Sequence, residues 1–182
     1  VVEGNTLLAM DSGEVSAIYG GMNGVHNGST TIKVSGGKVG RIHGGDHAGG
    51  NVNGNIYIEV KDAQVGEIYG SNYHYDPSYQ TKFEGVNGNV QITVGGNAKV
   101  GQIRGGINTS AQESEDIAKE KMVLGGSVSI GVKGNSTVGD GDIAILGAGG
   151  SYGSVKEHTS INVSENATIN GDIYACANSV SD

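Results

Sequence analysis

A nine-residue pattern occurs six times in this chain, at Val2–Met10, His26–Val34, Val52–Val60, Val86–Val94, Leu124–Val132 and Val155–Val163. The third copy, Val52-Asn53-Gly54-Asn55-Ile56-Tyr57-Ile58-Glu59-Val60, is typical: alternate positions are apolar or glycine, and those between are mostly polar. A period of two is the signature of a half-buried strand. Six such strands, 24 to 38 residues apart, make a solenoid.

A turn rich in Gly, Ser, Asn or Asp follows each copy, as in Ser35-Gly36-Gly37 and Gly95-Gly96-Asn97, and then a second, shorter strand. The first four short strands are Val15–Gly20, Val39–Gly44, Val65–Gly70 and Val100–Gly105, each with Ile three positions after Val. That spacing breaks alternation, and a glycine in the gap lets the chain turn a corner. In the fifth copy Val138-Gly139 is read as reaching Ile143, and in the sixth Ile169 reaches Ile173. Each repeat is therefore one coil of two or three strand segments. A single coil cannot bury its apolar row, but stacked coils can. Ile32, Ile58, Ile92, Ile130 and Ile161 then lie above one another, as do Val39, Val65 and Val100, about 4.8 Å apart. Each fully buried side chain contributes on the order of 1.5–3 kcal/mol. The expected fold is all-β: a single domain over 1–182, a parallel β-helix of about six coils, right-handed by the crossover rule.

Composition is consistent with this architecture. Glycine makes up 34 of 182 residues, with one proline and no tryptophan, which without a repeat would indicate disorder. The lone Cys176 excludes an internal disulfide framework and is read as a small buried or incidental thiol, with an intermolecular bridge as the alternative. A net charge of −8 argues against a nucleic-acid surface. No apolar run reaches membrane-spanning length. No capping helix is evident at either end, so the end coils are expected to meet neighbouring coils or other molecules. Five Asn-x-Ser/Thr triplets, at Asn27, Asn108, Asn135, Asn162 and Asn166, are weak signals in a chain this rich in Asn, Ser and Thr.

The units Ile18-Tyr19-Gly20-Gly21, Ile42-His43-Gly44-Gly45, Ile68-Tyr69-Gly70-Ser71 and Ile103-Arg104-Gly105-Gly106, each preceded by Val-x-x, resemble the glycine-rich β-solenoid repeats of large secreted and surface-anchored adhesin-like proteins of bacteria and archaea. The resemblance covers nearly the whole chain. It implies extracellular or cell-surface display and a binding or scaffolding role, and it carries no catalytic residues.

Two long insertions depart from the repeat, at 70–85 and 107–122, both between the short strand and the next long one. They are expected to emerge along one edge. The second reads as a short helix over 111–122, capped by Ser110. The first is rich in aromatics: with Tyr69, the residues Tyr73, Tyr75 and Tyr79 could stack sugar rings, anchor a protein partner, or simply pack the loop down. The position after each short-strand Ile reads Tyr19, His43, Tyr69, Arg104, Ala144 and Tyr174, a ladder expected mainly to stabilise the stack. His43, Asp46, His47 and His74 are the candidate metal ligands, at a spacing that matches no strong site. Gly139-Asp140-Gly141-Asp142 reads as a solvated acidic turn rather than a calcium loop. The outward row Asn5, Ser29, Asn55, Asn89 and Ser127 cannot do acid–base work at neutral pH, and it is expected to form a hydrogen-bonded ladder.

The expectation is thus a non-catalytic surface adhesin or structural appendage segment without a cofactor. Its partners would be copies of itself end to end, or a glycan or host surface protein held by the edge loops. A polysaccharide-active β-helix enzyme is the third reading.

Overall fold

The computed structural model describes residues 1–21, 24–46, 50–71, 86–107, 123–149 and 154–176. These contain strands and turns and no helix. A six-stranded sheet runs through all six coils, formed by Thr6–Met10, Thr30–Val34, Ile56–Lys61, Val90–Gly95, Val128–Val132 and Thr159–Val163. Every neighbouring pair is parallel and in register, so Leu8, Ile32, Ile58, Ile92, Ile130 and Ile161 form one column. The isoleucine stack expected from the repeat is present, extended by Leu8. A second parallel sheet contains Glu14–Gly21, Lys38–Asp46, Gln64–Tyr69 and Lys99–Arg104, continued by pairs of short strands in the last two coils. Its inward columns are Val15, Val39, Val65, Val100, Val138, Ile169 and Ile18, Ile42, Ile68, Ile103, Ile145, Ile173. Strands stacked in chain order with consistent register make this a parallel β-solenoid.

Three sequence expectations are corrected. First, the nine-residue unit is not one strand. It breaks at the Asn-Gly or equivalent pair, and its first residues form a separate third ladder through Val2, His26, Val52, Val86, Leu124 and Val155. That ladder is seen as the strands Val25–His26 with Asn51–Val52 and Val123–Leu124 with Ser154–Val155, and as single bridges elsewhere. The link from Val86 to the fifth coil is the Gly125 N–H donating to the Val86 carbonyl at 2.7 Å. The reason is close approach: a Cβ at Gly28, Gly54, Gly88 or Gly126 would collide with the carbonyl of the glycine one coil before it. Only glycine lets the corners stack at strand spacing. Second, Ile103 pairs with Ile145, not Ile143, because Gly139 (φ 103°) and Gly141 (φ 156°) throw out an exposed loop of four extra residues. Third, the ladder position after it is consequently Leu146 rather than Ala144, and Ala144 is buried in the core.

The core is a narrow prism of Ile and Val, most of it fully buried in the middle coils. The end coils are more open. Ile161 and Ile169 are half-buried, and Leu8, Val15, Val163 and Ile173 are exposed. The turn after each six-stranded-sheet strand holds one left-handed residue: Gly13, Gly37, Asp62, Gly96, Gly134 and Glu165. The second-sheet strands end at Gly21, Asp46, Tyr69, Arg104 and Leu146, and the chain next enters the third ladder at Val25, Asn51, Val86, Val123 and Ser154. All five connections, both long insertions among them, thus join one edge. The helix expected over 111–122 lies outside the described residues.

Candidate functional site

The sequence-predicted ladder is a real stack. The Tyr19 and His43 rings lie 4.8 Å apart at 11°, and the His43 and Tyr69 rings 4.8 Å apart at 4°. The Arg104 guanidinium covers the other face of Tyr69, 5.8 Å from its centroid. Identical repeat positions in an in-register parallel sheet impose this spacing, since strands stack about 4.8 Å apart. The polar tips are tethered. The Tyr69 hydroxyl donates to Glu67 Oε2 at 2.8 Å, and Arg41 Nε donates to the same oxygen at 3.0 Å. Arg104 Nε donates to Gln102 Oε1 at 2.8 Å. Such aromatic pairs and the cation contact are each worth roughly 0.5–1.5 kcal/mol. Tyr69 is 4 % exposed with both ring faces occupied, so it has no free face for a sugar. Its predicted companions Tyr73, Tyr75 and Tyr79 lie outside the described residues.

Of the candidate metal ligands, His47 and His74 also lie outside the described residues. His43 is 1 % exposed within the ring stack. Asp46 is buried, and its Oδ2 accepts the Gly24 N–H at 3.3 Å. His26 serves the coil junction: Nε2 donates to the Gly4 carbonyl at 2.9 Å, which leaves Nδ1 to accept the Thr30 hydroxyl at 3.0 Å. No three His, Cys, Asp or Glu side chains converge as a metal set among the described residues.

The outward Asn/Ser row is a hydrogen-bonded ladder, as the sequence suggested. Asn5 Oδ1 accepts the Ser29 N–H at 2.8 Å, Ser29 Oγ the Asn55 N–H at 3.2 Å, Asn55 Oδ1 the Asn89 N–H at 2.8 Å, and Asn89 Oδ1 the Ser127 N–H at 2.9 Å. Two further ladders escaped sequence reading. Asn87, Asn53 and Asn27 donate amide to carbonyl in series and end on Glu3. On the turn side, Asn166 donates to Asn135 and Asn135 to Asn97, while Asn97 donates through both its backbone N–H and its amide to Asp62 Oδ1. The signal for the first was available, since Asn occupies the second position of three nine-residue copies. Asp62, in the left-handed region at φ 54°, has its carboxyl held below the ordinary value by the Asn97 backbone N–H first and the Asn97 amide second. Three of the Asn-x-Ser/Thr asparagines, Asn27, Asn135 and Asn166, have their amides inside these ladders.

Sequence reasoning also passed over Tyr57. It projects from the outer face of the six-stranded sheet, 40 % exposed, and its hydroxyl accepts the Asn55 amide at 3.1 Å. Beside it runs a shallow trough of about 330 Å³, lined by Thr31, Lys33, Glu59, Gln91, Thr93 and Lys133. Lys33 and Glu59 face each other at 3.9 Å across neighbouring coils. The pattern gave no warning, because Tyr57 is the one aromatic in an outward column that otherwise reads Leu7, Thr31, Gln91, Ser129 and Ser160.

No protein-family profile matches the chain, and no curated protein or solved structure does.

Proposed function

We propose that this chain is a non-catalytic segment of an extracellular surface adhesin or structural appendage, acting by display and contact. The observation that carries the reading is how the polar side chains are used. Three asparagine-rich ladders and one aromatic stack join coil to coil, so the groups that could act on a substrate serve to stiffen a rod. A stiff rod whose five coil-to-coil connections join one edge is suited to hold loops away from a surface. The repeat resemblance supports the extracellular location. The test is incubation of the purified chain with a glycan array, intact host cells and soluble polysaccharides. Retention without turnover is expected; release of new reducing ends would overturn the non-catalytic reading.

A second observation favours end-to-end assembly as part of that role. Every coil pairs with the next in the same direction and register, so each coil is shaped to receive another of its kind. Contact of this kind is heterologous and propagates along the axis. Sedimentation velocity at rising concentration is expected to show association, reduced by Lys at Ile161 and Val163. A monomer at every concentration would count against it. Glycan or host-protein binding through the 70–85 insertion is the alternative. It requires that deleting the insertion abolish binding while the solenoid stays folded.

A further inference from the structure

We propose that the outer face of the six-stranded sheet around Tyr57 binds a neutral, linear polysaccharide, with one pyranose ring stacked on Tyr57 and hydroxyls bonded by Gln91, Thr93 and Glu59. This binding site is distinct from the edge loops, and it rests on the contact reading above only in being a binding role.

The first support is that Tyr57 does no work for the core. Its sequence neighbours Ile56 and Ile58 point inward and are 0 % and 2 % exposed, so the sheet is already sealed beneath it. An exposed tyrosine in a chain with only 5 % aromatic residues sits apart from the stabilising ring stack on the second sheet. Second, the ring is held in place: the Asn55 amide donates to its hydroxyl, and Asn55 is itself fixed by the Asn89 N–H. A pre-positioned ring loses little freedom when a ligand stacks on it.

The surroundings determine the ligand class. Thr31, Gln91, Thr93 and Glu59 offer both donors and acceptors around the ring. Lys33 and Glu59 compensate each other, Lys133 adds a single cation to the lining, and the chain as a whole carries −8. A polyanion would be repelled by that overall field, and a neutral polyhydroxylated chain would not. The trough is too shallow to enclose a small molecule. It lies across successive coils, where Thr31, Tyr57 and Gln91 occupy one column. A polymer running along the solenoid axis would meet a side chain about every 4.8 Å. Many weak contacts along an open face suit a linear chain better than a compact ligand.

Affinity gel electrophoresis of the full chain tests this, with a soluble mixed-linkage β-glucan, a galactomannan and dextran as probes and polygalacturonate as the polyanion. Retardation by at least one neutral polymer is expected. Tyr57→Ala should weaken it roughly tenfold, and Tyr57→Phe, which keeps the ring, by no more than about threefold. Thr93→Arg, which fills the trough, should also weaken it, and it serves as the test if Tyr57→Ala lowers the melting temperature. Retardation by none of the neutral polymers, or by polygalacturonate alone, overturns the proposal. So does parental binding by Tyr57→Ala and Thr93→Arg. If instead only deletion of the 70–85 insertion abolishes binding, the sheet-face site is refuted and the edge-loop reading stands.

Discussion

Truncating one interior isoleucine should have a cost that depends on its coil. Ile92 is fully buried, with Ile58 in register on one side and Ile130 on the other. Ile92→Ala removes three carbons, a transfer loss of about 2.4 kcal/mol at roughly 0.8 kcal/mol per buried carbon. The gap is walled by strands on both sides that cannot collapse without shifting the register, so a cavity cost adds to the loss. The total should fall near 3–4 kcal/mol, within the range for such truncations. Ile161 holds the same repeat position in the last coil, is half-buried, and has a column neighbour, Ile130, on one side only. Its truncation should cost roughly 1 kcal/mol, since half the transfer loss applies and no closed cavity forms. Urea unfolding followed by far-UV circular dichroism gives both differences, provided the slopes agree. Equal costs at the two positions, or a cost under about 1 kcal/mol at Ile92, would refute the column argument. Ile92→Asp goes further and should prevent folding, because the charge would have no partner in the column.

Glycine substitutions should divide by column. Gly70→Ala should unfold or severely destabilise the chain, since its Cβ would strike the Gly105 carbonyl and Val90 Cγ1; Gly131→Ala, with nothing within 4 Å, should be neutral or add up to about 1 kcal/mol. Thermal melts of the two variants check this. Asp62 should give the solenoid a small acid-sensitive increment: with its folded carboxyl below the ordinary value near 3.8, the increment is present above that pH and fades as pH falls through the lower folded value. Asp62→Asn keeps an acceptor for Asn97 and should flatten that part of the melting-temperature profile below about pH 4.

The rows facing the core were legible because a two-residue period and a repeat interval together specify which side chains stack. Ile32, Ile58, Ile92 and Ile130 needed only their shared position in the pattern. The fifth coil was misread because Val138 and Ile145 are separated by a bulge whose length the repeat does not encode; the left-handed Gly139 and Gly141 show where the extra residues leave the sheet. The nine-residue unit looked like a single strand because the corner glycine occupies an inward slot of the alternation and mimics a small core residue. The aromatic stack was visible as a column, but the burial of His43 and Tyr69 within it was not, since exposure on an outer face depends on what covers that face. Tyr57 was missed because a single exposed aromatic has no pattern of its own. It becomes a candidate only when Gln91 and Thr93, more than thirty residues later in the chain, are brought beside it.

The central claim is that successive coils add one strand spacing each, whatever the sequence distance between them. Leu7, Gln91, Ser129 and Ser160 occupy one outward column on the fourth-to-sixth and first coils, all exposed. Electron–electron double resonance between spin labels on paired cysteines, in a Cys176→Ser background because Cys176 is an exposed free thiol, reads these separations directly. From Leu7, backbone distances to Gln91, Ser129 and Ser160 should be about 14, 19 and 24 Å, rising by about 4.8 Å per coil with a constant offset from the labels. Distances that fail to rise in equal steps, or that shorten toward Ser160, would contradict the parallel in-register solenoid.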